Sequence, residues 1–354
     1  MSTTTSSPAP STTTSLPRLV GASGHPADMP REASPSRREP QLPPTPSALA
    51  APPNAAGHVP RPIGVDAALE ALQLTRETAG VAACLAEGDE RRRVRCLVGL
   101  RFAADPKAAE LALGLHDALG DVVGLEVERD MDGGWRGPIH LVPALPVAQR
   151  RKHLEWVVEA RRSIARFIDA LARGQERRPS FADRPLTLLF TRSVGKRTPS
   201  AYAFDWTIVY NVEGSLHRSR EAVRETMIHE TFHLVDASHG AWSERVLGPL
   251  YDAILRRCDV EGRVVASRAC LRPYAPHATT VVGGTYYAFQ PGSGVGEYAA
   301  ELAVRYVEEQ RAAMAGRRHP GGAFQCGPAE NARAWRLLVE EFFAGIDHTL
   351  PCPR

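Results

Sequence analysis

Five residues constrain this chain more than any others. They are His229-Glu230-Thr231-Phe232-His233, inside a run from about Ser219 to Val235 whose apolar spacing predicts an amphipathic helix. At 3.6 residues per turn, both histidines fall on one face, one turn apart. Two imidazoles so placed can bind one Zn²⁺, and Glu230 can then take a proton from a water on the open metal position. Chance is a poor explanation. With 12 His and 25 Glu in 354 residues, such a run arises roughly 0.03 times in a chain of this composition. The competing reading is two surface histidines on a helix.

A catalytic zinc usually takes three protein ligands and keeps one position open. The sequence offers two main candidates for the third. His239 extends the pattern to His229-Glu230-x-x-His233-x-x-Asp236-x-x-His239, which has metzincin spacing. Metzincins place Gly where Asp236 stands, because the chain must turn sharply there, and Asp adopts the left-handed conformation less readily. They also need a Met-turn downstream, and the later methionine is Met314, inside an Ala-rich helical run. The second candidate is Glu297, in Gly296-Glu297-Tyr298-Ala299-Ala300-Glu301. Glu297 and Glu301 are i and i+4 on one helical face. The first can ligate a metal, and the second can hydrogen-bond a ligating imidazole and fix its tautomer. Glu301 itself and His277 remain further options, and a solvated acidic face is the bland alternative.

HETFHLVD followed by GEYAAELA resembles the gluzincin metallopeptidases of the anthrax lethal factor type, which include the Pro-Pro endopeptidases and the Mlc titration factor A peptidases. Their pattern is HExxHxxD, then a Tyr, then E-[FY]-x-A-E. The resemblance covers roughly residues 185–310. It implies an α+β zincin-like metallopeptidase with a small mixed sheet and an active-site helix. It also implies Zn²⁺ held by His229, His233 and Glu297, with Glu230 as general base and Glu301 supporting a ligating histidine. The family's oxyanion-stabilising Tyr maps to Tyr287 or Tyr286, ten and eleven residues before Glu297. At position 290, where that Tyr would normally stand, this chain has Gln, and Ala299 replaces the family's second aromatic. The implied activity is endopeptidase cleavage of a protein or peptide. The alternatives are a non-catalytic zincin module that keeps zinc for binding or regulation, and a protease that uses His239. A toxin or effector would share the same chemistry.

The rest of the chain divides into three regions. Residues 1–62 hold 14 of the 29 prolines and no aromatic residue. Such a segment buries too little apolar surface to offset its ordering entropy, so a disordered tail is expected. Residues 63–145 read as a small α/β accessory region. It has a first helix around Ala67–Leu74, a strand over Val94–Phe102, a helix over Ala108–Leu119, and a strand over Val122–Val127 closed by a turn at Asp132-Gly133-Gly134. Residues 146–354 form the zincin-like part. It begins with a long helix from Val147 to about Arg173, whose arginines read as a solvated face. Strands are expected at Leu186–Thr191 and Trp206–Val212, and later helices at Arg245–Arg257, Glu297–Met314 and Asn331–Ile346.

Composition removes other classes. With 43 basic against 40 acidic residues, nothing argues for nucleic acid or a membrane surface as partner. No run approaches a membrane span, and residues 1–30 lack the basic and apolar regions of a secretory signal. The expected location is therefore cytoplasmic, or outside the cell by a specialised export route. The six cysteines include no CxxC. Their even number suits disulfides, and two pairs, Cys84/Cys96 and Cys258/Cys270, share a twelve-residue spacing.

Overall fold

The computed structural model describes residues 62–132, 137–181, 184–258, 268–280, 285–290 and 294–352. The tail over 1–61 and the glycines of the Asp132-Gly133-Gly134 turn lie outside the described residues.

The described chain opens with four helices, α1 (Val65–Ala71), α2 (Val81–Leu85), α3 (Glu90–Arg101) and α4 (Pro106–Leu119). Asp89 and Asp105 cap the last two by accepting the backbone N–H of Arg92 and Ala108. The strand expected over Val94–Phe102 is therefore α3. Val94, Leu97 and Val98 are buried at helical spacing, and the Asp89 cap turns an apolar, β-branched stretch into a helix.

Three strands follow, β1 (Val122–Leu125), β2 (Arg129–Asp132) and β3 (Pro138–Pro143), then the long α5 (Arg151–Leu171). Next come β4 (Thr187–Ser193), β5 (Ala201–Phe204), β6 (Thr207–Asn211) and α6 (Arg220–Ser238). A π-helical turn over Ser243–Leu247 runs into α7 (Gly248–Arg257). The remaining helices are α8 (Arg268–Leu271), α9 (Val295–Met314) and α10 (Ala329–Phe342).

The fold is mixed α+β, and its six strands form one mixed sheet of order β2-β3-β4-β6-β5. The first half of β4 pairs in parallel with β1 and its end pairs antiparallel with β3. Strand β6 is parallel to β4, and β5 folds back antiparallel on β6 as an edge. Strands from both sides of residue 146 thus share one sheet. Leu188 and Phe190 stand beside Ile208 and Tyr210. All four are buried in a core shared with Leu154, Val157 and Ile164 of α5 and Met227 and Phe232 of α6. Burying side chains of this size contributes about 1.5–3 kcal/mol each. At Gly124 a Cβ would lie 1.9 Å from the Ala71 carbonyl oxygen, so only glycine lets α1 pack on β1.

A buried ion pair fastens α5 to the sheet. Arg161 donates to both carboxylate oxygens of Asp121, at 2.7 and 3.1 Å, and Asp121 also accepts the Leu186 N–H at 2.9 Å. All six cysteines are paired, as Cys84–Cys96, Cys258–Cys270 and Cys326–Cys352. Among the described residues no helix is long and apolar enough to cross a membrane.

Candidate metal centre

The site lies where α6 meets α9. Ser219 caps α6 through the Ala222 N–H. Val223, Met227 and Phe232 then fix the rotation of the helix by burying in the core. His229 and His233 are left turned toward α9. Glu297 stands in the first turn of α9, where the helix dipole favours a carboxylate.

The donor atoms converge. His229 Nε2 is 3.0 Å from Glu297 Oε2 and 3.1 Å from His233 Nε2, and His233 Nε2 is 3.6 Å from Glu297 Oε1. One ligand atom from each of these residues lies within 4.8 Å of the others, in the one such metal-compatible group among the described residues. Behind it, Glu301 Oε1 is 3.4 Å from His229 Nδ1. Against the effect of burial, hydrogen bonds to Glu297 and Glu301 raise the His229 pKa, so the free ring carries protons on both nitrogens. A metal would displace the Nε2 proton and leave Nδ1–H facing Glu301.

Charge and burial act strongly here. Burial pushes the Glu230 carboxyl up to about 7, against the lowering effect of His229. Burial would also raise Glu297, but the hydrogen bond to His229 and the charges of both histidines hold it down at about 2. Burial and the neighbouring His229 push His233 down to about 4. The cluster therefore supplies a carboxylate and a neutral imidazole as ready electron-pair donors. It also holds a buried carboxyl poised near neutrality.

The two tyrosines part company. Tyr287 opens a short 3₁₀ turn, its ring centroid is 5.8 Å from that of His229, and its hydroxyl lies close enough to Glu297 to lower that carboxyl's pKa. Tyr286 instead lies under Arg268, with 5.5 Å from guanidinium to ring. His239 closes the end of α6 and points elsewhere, its Nδ1 2.7 Å from Glu341. Asp236 accepts both the N–H and the hydroxyl of Ser243 at 2.7 Å, which pins the π-helical turn to α6. His277 lies 3.9 Å from Glu308 rather than at the centre. Met314 ends α9 as an exposed residue.

Sequence reasoning missed Tyr251. It stacks on Phe289, 5.6 Å between centroids, and its hydroxyl donates to the Ala288 carbonyl at 3.4 Å. It thereby braces the turn that carries Tyr287. No local pattern could announce it, because the contact joins residues 37 positions apart. Compared with protein-family models, curated proteins and solved structures, the chain matches none.

Proposed function

We propose that this chain is a zinc-dependent endopeptidase of zincin architecture, close in design to the lethal factor type of gluzincin. One observation carries the reading: His229, His233 and Glu297 place one donor atom each around a common point, beside the buried Glu230. Two imidazoles and a carboxylate suit zinc and leave an open position. Zinc bound there would polarise the scissile carbonyl and make water acidic enough to ionise near neutral pH.

The protein's own groups do the rest. Glu230 accepts a proton from the attacking water and passes it to the leaving amine, a task matched by a carboxyl that burial holds near pH 7. Tyr287 turns its hydroxyl from Glu297 to the substrate carbonyl oxygen as negative charge develops there. Glu301 holds the His229 ring in one tautomer. His239 has no part in this scheme, since Glu341 holds it.

The three disulfides favour maturation in an oxidising compartment, and hence the exported alternative for location. Glu230→Gln decides the catalytic reading. It should retain one zinc per chain and lose peptide hydrolysis, because only proton transfer is removed. Wild-type turnover by this variant on a peptide library, or no zinc uptake by the wild-type protein, refutes the proposal.

A further inference from the structure

Several arginines that touch the core or bridge helices are matched to carboxylates. Arg161 has Asp121, Arg305 has Glu309 and Arg220 has Glu159. Arg166, Arg224 and Arg311 have no ion pair among the described residues. Arg166 and Arg311 line one groove at the far end of the α6 and α9 pair, and the charge of Arg224 acts on Arg311 there. Arg166 extends from α5, Arg224 from α6 and Arg311 from α9. Arg311 reaches across to α5, where its Nη2 donates to the carbonyl and hydroxyl oxygens of Ser163 at 3.0 and 2.9 Å. Its guanidinium lies 5.5 Å from the centre of the Phe167 ring, and its buried Nε has no partner. Glu308, the carboxylate that acts on Arg311, is shared with His319 at 3.4 Å. A groove of about 360 Å³ opens at this seam, lined by Ser163, Arg166, Phe167, Arg311, Met314 and Ala315.

We propose that this groove binds a small oxyanion of the phosphate class, with Arg166 and Arg311 as its cationic walls and Arg224 adding positive charge from beside it. Guanidinium forks match the tetrahedral oxygens of phosphate and can bind them bidentately. Crowded cations repel one another, and burial depresses the Arg311 pKa to about 10, with Arg224 and Arg166 adding to the effect. An anion would relieve both. A merely solvated basic face, as the sequence of α5 suggests, would splay its arginines into water. Here one of them is instead pinned to Ser163 over an aromatic floor. Free phosphate and a phosphomonoester share this chemistry, and the Phe167 and Met314 surfaces give an ester's organic part something to cover.

Isothermal titration calorimetry in chloride buffer at fixed ionic strength tests the site, with inorganic phosphate and phenyl phosphate as probes. The wild-type protein should give a saturable one-site isotherm. Arg166→Ala/Arg224→Ala should weaken it about tenfold or more, as expected when charge-assisted hydrogen bonds are lost. Arg177→Ala, remote and paired with Glu340, should leave it unchanged. Tighter binding of phenyl phosphate than of phosphate would mark an ester as the ligand, and equal binding would mark the free ion. Both outcomes sustain the site. No saturable heat overturns it. So does binding that survives in the double variant, since that places the anion elsewhere, the metal centre included. If the double variant fails to fold, the exposed Arg166→Gln alone carries the comparison.

Discussion

Acid should destabilise this protein through a buried histidine far from the metal centre. His217 stacks flat on Tyr210, 3.8 Å between centroids at 5°. Its Nδ1–H donates to the Asn211 carbonyl at 2.8 Å, and its Nε2 is buried without a partner. Burial pushes its pKa from 6.5 down to about 4, with the Asn211 hydrogen bond opposing and His153 adding to the drop. The folded state therefore resists protonation that the unfolded chain accepts. The stability is fully present above pH 6.5 and is lost as pH falls toward 4. At pH 5 the unfolded group lies about 1.5 units below its pKa, and at about 1.36 kcal/mol per unit the loss is about 2 kcal/mol. Burial lowers His153 similarly to about 4, so it adds a loss of the same sign. Glu230 and Glu308, raised to about 7 by burial, act oppositely and gain stability as pH falls. His217→Phe isolates one contribution, because every other group is common to both proteins. The ring still stacks on Tyr210, and the Asn211 carbonyl still accepts the Gly214 N–H at 2.9 Å. Any packing cost of the larger ring shifts both pH values equally. Urea unfolding at pH 7.5 and pH 5 should show the wild-type protein losing about 2 kcal/mol more than the variant. Equal losses would refute the argument.

Four further outcomes follow from the same structure. Glu297→Ala should lose zinc sharply while His239→Ala keeps it, as measured by competition with a chromophoric chelator; the reverse ranking would favour a metzincin-like centre. Glu301→Gln should weaken zinc binding by about 10- to 100-fold, as changes behind a ligating imidazole usually do. Tyr287→Phe should lower kcat by about 10²- to 10³-fold with KM little changed, whereas Tyr286→Phe should leave kcat near wild type. Arg161→Met should cost about 3–5 kcal/mol in urea unfolding, because Asp121 is left charged, buried and short of a partner.

What the sequence disclosed depended on range. Helix α5 was legible from its long amphipathic stripe, whereas α6 and α9, buried on nearly every face over much of their length, were legible only as long runs with helical spacing. Strands β4 and β6 were also legible, as continuous apolar runs suited to burial on both faces. Val94–Phe102 reads as a strand by composition, yet it lies in helix α3 and its C-terminal cap. The Asp89 cap and the burial of Val94, Leu97 and Val98 outweighed the strand-like run. Strand β5 was missed for a physical reason. It is four residues long, and its hairpin turn is Asp205-Trp206, with φ of 42° and 58°. Most residues avoid that left-handed region, and Asn-Gly or Asp-Gly usually marks such turns. Here the turn is imposed by pairing with β6, and a single-sequence reading has no access to that pairing.

The candidate site divides in the same way. His229/His233 and Glu297/Glu301 are each i, i+4 pairs, so helix geometry alone puts each pair on one face. Joining the pairs is a long-range event. The antiparallel packing of α6 on α9 settles it, and that register has consequences along both helices. With His229 set against Glu297 and Glu301, Glu225, one turn earlier, falls near Glu301 and Glu308. Arg224 then falls near Arg311. A slide of one helical turn would bring Arg305 toward His229 in place of Glu301. It would also pull Arg305 from the Pro276 and Gly322 carbonyls, 3.4 and 2.7 Å away, and unseat Tyr298, Leu302 and Tyr306 from the core. The apolar stripe of α9 therefore selects the register, and the register selects which carboxylate faces the histidines. The acid and imidazole groups at one end of this helix pair and the crowded arginines at the other follow from that single packing choice.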